Sequence, residues 1–277
     1  MIKMKQLNCK SFAKINLCLH VLNKREDGFH DIQSIFRMIN LYDSLLFTIN
    51  DSKEIKLETN TCDLNFEDNL VTKAFKLLSR KFNLNFGLNV QLKKNIPLSS
   101  GLGGGSSNAA VTLLAMNKLF NLQMSKNELL SDAATLGSDV PFFLYGKSAH
   151  VTGRGEIVSE INLQKKYFVL IFSDQKVSTK DIFESITESN FSKKLDKTDL
   201  LDSYDNSFED TVMRKFPELM QTKYWLSSFG KVRMSGTGST LYIEFDSRES
   251  AHEANNEIEK RYRSKIVSSI DSYDIFS

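Results

Sequence analysis

The densest chemical signal in the chain is the run Pro97-Leu98-Ser99-Ser100-Gly101-Leu102-Gly103-Gly104-Gly105-Ser106-Ser107-Asn108-Ala109-Ala110. Glycines in such a run let backbone N–H groups close around a polyphosphate without Cβ clashes. A helix starting directly behind it adds unpaired donors and a partial positive charge. The hydroxyls of Ser106 and Ser107 extend that chemistry toward phosphate or Mg²⁺. Other glycine-rich motifs fail letter by letter. A Walker A loop needs Gly-Lys before Ser/Thr, whereas Gly105 meets Ser106 with no lysine between them. A dinucleotide fingerprint anchored on Gly101 and Gly103 wants Gly or Ala where Ser106 stands, and a nucleophile elbow wants Gly where Asn108 stands. A flexible linker fits poorly between a strand and an Asn-Ala-Ala helix start.

A second signal is Asp139 in Leu136-Gly137-Ser138-Asp139-Val140-Pro141-Phe142-Phe143, a lone carboxylate among apolar residues after a helix stop. It serves either as a helix cap or as a base beside a substrate hydroxyl, and its own context leaves the two equal. Lys14 and Asn16 share one strand face, which alone suggests nothing beyond a solvated lysine. The turn Ser235-Gly236-Thr237-Gly238-Ser239 reads as a hairpin or as a ligand loop. The histidines at 20, 30, 150 and 252 lack ligand spacing, which argues against a histidine metal site.

The elements that must position these residues follow from periodicity. Ile15, Leu17, Leu19 and Val21 alternate with Lys14, Asn16, Cys18 and His20, so a strand runs through them. After the Asp27-Gly28 turn, strands are expected at 33–40, 45–49 and 55–57. A helix follows Asp68 through Leu70, Val71, Ala74, Phe75, Leu78 and Phe82, and a strand carries Leu88, Val90 and Leu92 up to Pro97. A helix is expected over 106–119. Another is opened by a Ser125/Glu128 capping box and stops at Gly137. Beyond the Thr152-Gly153-Arg154-Gly155 turn the pattern restarts with a strand at 167–172 and a helix capped by Ser178 or Thr179. Residues 193–206 are polar and read as a loop. A strand through Leu241, Ile243 and Phe245 and a helix with Ala251, Ala254, Ile258 and Tyr262 on one face complete the pass.

With 277 residues, two lobes sharing an interface are expected, with a boundary near 155–165. Lys and Arg total 36 against 34 Asp and Glu, scattered in pairs such as Lys93-Lys94, which argues against nucleic acid as a partner. The longest apolar run, 168–172, is far short of the roughly 20 residues that span a bilayer, so no membrane helix is expected. Lys14, Asn16 and His20 interrupt the early apolar stretch, which speaks against a signal peptide. Cys9, Cys18 and Cys62 are odd in number and lack C-x-x-C spacing, disfavouring a disulfide framework and a zinc site and fitting a cytoplasmic protein.

Taken together and in order, these motifs resemble the GHMP kinases: a Lys/Asn strand, a Pro-x₃-Gly-Leu-Gly-Gly-Gly-Ser-Ser loop, a Gly-x-Asp segment and a late glycine turn. The sub-pattern Phe12-Ala13-Lys14-Ile15-Asn16-Leu17, Arg25-Glu26-Asp27-Gly28-Phe29-His30, Gly137-Ser138-Asp139-Val140-Pro141-Phe142-Phe143 and Ser235-Gly236-Thr237-Gly238 is similar to that of the branch acting on diphosphocytidyl-methylerythritol. The resemblance implies a two-lobed α+β fold. Its first lobe, 1–160, is like domain 2 of ribosomal protein S5, its second, 161–277, is ferredoxin-like, and the site lies in the cleft between them. It implies ATP over the loop from Pro97 to Ser107 with Asn69 near the adenine, Mg²⁺ at Ser106, and Lys14 with Asp139 as the catalytic pair. Asn16, Phe29, His30, Thr179 and Phe183 would meet the small-molecule substrate, with the cytidine between the Phe29 and Phe183 rings. Phe29 replaces the usual Tyr of that motif and keeps the ring without the hydroxyl. Asn206-Ser207-Phe208-Glu209 departs from an Asn-Asp-x-Glu element, leaving Ser207 without a role. Mevalonate- or homoserine-type kinases, and a non-catalytic binding protein on the same fold, remain as alternatives.

Overall fold

The structure, a computed structural model, describes residues 6–61 and 66–271. Period-two patterning at the start of the chain builds two long antiparallel strands, β1 (Gln6–Lys24) and β2 (His30–Asn50), joined across the Asp27-Gly28 turn. The strands expected at 33–40 and 45–49 are one element. Leu41-Tyr42-Asp43-Ser44 contains neither Gly nor Pro, and a register shift at Phe12/Ala13 absorbs the irregularity while β2 runs through.

The chain continues through β3 (Ile55–Thr59), α1 (Leu70–Lys81), β4 (Gly87–Lys93), α2 (Gly104–Leu119), α3 (Lys126–Leu136), α4 (Val140–Tyr145), β5 (Ala149–Gly153) and β6 (Ile157–Glu160). These strands form one sheet in the order β3-β4-β2-β5-β6, with β1 also on β2 and β3 parallel to β4. The capping box at Ser125 and Glu128 is present, and α3 ends at Gly137 as its sequence demands. α2 begins two residues before the expected start because Gly104 and Gly105 already lie in the helix. It is buried on nearly every side, so Ala109, Ala110, Leu113 and Met116 pack between the sheet and its helical neighbours.

The second sheet holds β7 (Tyr167–Ile171). It is followed by α5 (Thr179–Ser185), α6 (Lys197–Asp202), α7 (Glu209–Lys215), α8 (Pro217–Leu226), β8 (Val232–Met234), β9 (Leu241–Phe245), α9 (Arg248–Ile258) and β10 (Ser264–Ser268). Its order, β10-β7-β9-β8 with every pair antiparallel, is the ferredoxin-like arrangement. The loop expected over 193–206 contains α6. Asp196 accepts hydrogen bonds from the N–H groups of Thr198 and Asp199, and the single apolar anchor Leu200 is fully buried beside Cys18 and Ile35.

A third core fuses the two sheets: Ala13, Ile15, Ile39, Leu41, Ile96 and Leu102 pack against Phe168, Leu170, Tyr242 and Val267. This is why both faces of the middle of β1 are buried despite its alternating sequence. Ile15 and Val21 are as enclosed as Lys14, Asn16, Cys18 and His20. Cys9 and Cys18 are buried, and burial pushes the Cys18 thiol up to about 12. Cys62 lies outside the described residues. Among the described residues no helix is long and apolar enough to cross a membrane.

Candidate active site

β1 delivers Lys14 and Asn16 to the same point, as period two requires. The Lys14 ammonium donates to Asn16 Oδ1 at 2.6 Å, lies 3.5 Å from Asp139 Oδ2 and sits 4.6 Å above the Phe36 ring. Burial pulls the Lys14 pKa below its ordinary value, and the neighbouring Asp139 carboxylate partly opposes that pull. Asp139 occupies the N-cap position of α4 yet makes no side-chain hydrogen bond to the helix, so capping does not account for it. Its side chain is 28% exposed against 5% for Lys14, which leaves the carboxylate facing open space and the ammonium behind it. Asn16 is held by its amide donating to Ser34 Oγ at 3.0 Å and by Tyr242 Oη donating to its carbonyl at 2.8 Å.

The glycine-rich loop reaches this pair directly. Gly103 has φ +70°, and a Cβ there would lie 2.8 Å from Phe143 Cζ and 3.2 Å from Lys14 Cε, so only glycine fits. α2 then starts with no side-chain cap and no acidic residue in its first turn, leaving its N–H donors for a ligand. Gly105 is exposed and Ser106 half-buried at this end. Ser107 departs from the expectation: it is fully buried, its hydroxyl is bonded to Ser11 Oγ at 2.7 Å, and its N–H donates to Gly103 O. Neither polar group faces the cleft, because one residue further along a helix turns a side chain toward the core. Leu102 likewise belongs to the core between the sheets, and the Ser100 hydroxyl closes back onto Pro97 O at 2.7 Å. Asn69 caps α1 by accepting from Val71 N–H at 2.9 Å, and the next residue, Leu70, is the nearest neighbour of Gly105. Asn69 therefore borders the loop, and among the described residues its amide N–H₂ has no hydrogen-bond acceptor.

The late glycine turn is a hairpin that touches the glycine-rich loop and β1. It joins β8 to β9, and Ser235 Oγ donates to Gly101 O at 2.9 Å while accepting from Asn16 N–H at 3.2 Å. One hydroxyl thus ties the turn to the glycine-rich loop and to β1. Thr237 Oγ1 lies 3.1 Å from Thr179 Oγ1 at the start of α5, where Ser178 is the cap.

The aromatic residues expected to meet the cytidine fall into two separate contacts. Phe183 packs on His30, with ring centroids 5.5 Å apart, and on Phe208 at 4.5 Å. Phe29 is half-exposed and lies under the Arg154 guanidinium, 4.5 Å from the ring centroid. The reason is the turn geometry: Phe29 precedes β2 and points outward, whereas His30 opens the strand and points in. Burial lowers the His30 pKa, and nearby Lys24 lowers it further.

Residues 69–147 match the family model described as GHMP kinases N terminal domain, and residues 190–264 match GHMP kinases C terminal. The 4-diphosphocytidyl-2-C-methyl-D-erythritol kinase of Francisella tularensis subsp. novicida is 42% identical over 84% of this chain and 85% of its own. Its counterpart from Colwellia psychrerythraea is 34% identical over 99% of this chain and 93% of its own. The chain belongs to the 4-diphosphocytidyl-2-C-methyl-D-erythritol kinase family of GHMP kinases. A crystal structure of a 4-(cytidine 5'-diphospho)-2C-methyl-D-erythritol kinase matches this GHMP kinase with a TM-score of 0.81 at 29% identity, over 95% of this chain and 99% of that one.

Sequence reasoning missed the floor of the glycine-rich loop in this GHMP kinase. Asp43 is fully buried, pairs with Lys94, and accepts from the N–H groups of Asn95 and Ile96 and from Asn108 Nδ2. Asn108 also donates to Ser11. A signal existed, since Asp43 is the one carboxylate in the run 35–47, but its partners come from distant segments. Ser207 proves to be structural, because its Oγ accepts from Val21 N–H at 3.0 Å and seals the edge of β1.

Proposed function

We propose that this chain transfers the γ-phosphoryl group of ATP to the 2-hydroxyl of 4-diphosphocytidyl-2-C-methyl-D-erythritol, in the non-mevalonate route to isoprenoid precursors. The observation that carries this reading is the contact of the glycine loop with the Lys14–Asp139 pair: an anion cradle and a base meet at one point. Asp139 accepts the proton of the attacking hydroxyl. The new O–P bond forms as the bond to the β-phosphate oxygen breaks, and ADP leaves. Lys14 neutralises charge that develops on the transferring group, and Asn16 holds the lysine in place. The N–H groups of Gly104 to Ser106 hold the β- and γ-phosphates, with Asn69 on the nucleoside side of ATP.

A divalent cation suits this donor set. Ser106 and Asp139 offer oxygen ligands, and among the described residues no cluster of three or more His, Cys, Asp or Glu side chains forms an all-protein cage. That is the pattern of Mg²⁺ carried largely by nucleotide phosphates, where it would neutralise charge between them. Residues 1–160 then supply the nucleotide loop and the base, while 161–277 supply Thr179, Phe183 and the wall at Ser235 to Ser239. His30 and Phe183 receive the cytosine, with Phe29 at the rim. A cytoplasmic location fits a kinase fed by ATP.

The test is ADP release with the diphosphocytidyl substrate, its cytidine-free phosphate fragment, mevalonate and homoserine in parallel. Turnover confined to the first is expected. Equal or better turnover of mevalonate or homoserine would replace the substrate, and no ADP release with any of them would favour a binding protein.

A further inference from the structure

The turn between β5 and β6 brings a second cation into the cleft that the reaction just described leaves idle. Gly155 stands beside the base, since a Cβ there would lie 3.5 Å from Asp139 Oδ1 and 3.2 Å from Ser138 Cβ. One residue earlier, Arg154 covers the Phe29 ring. Ile32 pairs with Gly153, so this turn abuts the start of β2 at His30. Arg154 therefore sits between the nucleoside end and the reacting end. A diphosphate joining cytidine to the acceptor alcohol has to cross that gap.

The charge balance of the gap points the same way. Asp27, Asp139 and Glu156 border it, with Lys24 near His30 at its outer end, and a diphosphate adds more negative charge. Lys14 is committed to Asn16 and Asp139, and Arg25 is hydrogen-bonded to Asp27 and Asp31. Arg154 is not committed. Its nearest carboxylate contact is Nε to Glu156 Oε1 at 3.9 Å, beyond hydrogen-bond reach, and the other Glu156 oxygen is taken by the Arg154 backbone N–H at 2.6 Å. Among the described residues the guanidinium makes no side-chain hydrogen bond, so the planar fork of five donors, on a side chain 27% exposed, has its hydrogen bonds unspent.

We infer that Arg154 binds the diphosphate of the substrate through paired N–H donors while its guanidinium stays stacked on Phe29. This rests on the cytidyl-substrate reading above and deepens it: one residue links recognition of the base to placement of the acceptor hydroxyl at Asp139. It also discriminates, since ligands without the diphosphate gain nothing from it.

Calorimetric titration of cytidine and cytidine diphosphate into wild type, Arg154→Met and Arg154→Lys tests it. Met retains an apolar stem over Phe29 and lacks the charge. Arg154→Met is expected to lose about 10- to 100-fold in affinity for cytidine diphosphate while cytidine changes by less than about 2-fold, with Arg154→Lys recovering part of the loss. Equal losses for both ligands would reduce Arg154 to a buttress of Phe29 and overturn the assignment, as would unchanged diphosphate affinity. A wild-type protein that binds neither ligand would overturn the cytidyl-substrate reading itself, and the Arg154 assignment with it.

Discussion

The floor beneath the glycine-rich loop and the rim around Phe29 use the same residue types in opposite ways. Beneath the loop, the Lys94 and Asp43 side chains are 6% and 0% exposed, and both Asp43 oxygens accept two hydrogen bonds each. At the rim, Arg25 pairs with Asp27 and Asp31 in water, and Phe29 is half-exposed. A loop that holds backbone donors against a polyphosphate has to be rigid before the ligand arrives, and a buried, fully paired carboxylate makes it so. A rim proposed to admit a base has to open, and exposed pairs that contribute little permit that.

The largest expected effect lies where the two regions meet. Asp139→Asn keeps the shape and removes the base, so kcat should fall by about 10² to 10⁴ with ATP affinity little changed; near wild-type turnover in the purified variant would remove Asp139 from that role. Next, Asp43→Ala leaves Lys94 buried and unpaired and should cost ~3–5 kcal/mol of stability by urea unfolding, whereas Arg25→Ala at the rim should leave the unfolding midpoint unchanged. Comparable losses in the two variants would erase the contrast between floor and rim.

A smaller effect sharpens the comparison from the ligand side. Phe183→Ala removes the ring on His30 and should weaken cytidine diphosphate by about tenfold, leaving the KM for ATP near wild type. A parallel loss of ATP affinity would mean that floor and rim are coupled. The subtlest expectation concerns pH. Burial disfavours the charged form of Lys14, so its ammonium loses its proton at a lower pH than the ordinary 10.5, and kcat/KM should decline on the alkaline side before that value. A profile flat up to pH 10.5 would show that Lys14 titrates like an exposed lysine or that its charge is not needed.

The sequence by itself determined the elements whose signals are local. The capping box of α3, the stop at Gly137, the strand through Lys14 and Asn16, and the glycine run ahead of α2 are set by spacing within a few residues, and the structure holds each of them. The family was equally legible, because its motifs are short and keep their order. Other features depended on partners far along the chain. α6 forms because Leu200 finds Cys18 and Ile35, and Asp43 acquires its meaning only from Lys94 and Asn108. Phe29 and His30 are neighbours in sequence, yet the start of β2 turns one outward to Arg154 and the other inward to Phe183. The cap reading of Asp139 likewise stood until the structure showed no side-chain hydrogen bond to α4 and Lys14 within 3.5 Å of the carboxylate. Local propensity specifies which segments curl or extend, whereas burial and pairing of charge are properties of the assembled chain, and only tertiary structure decided them.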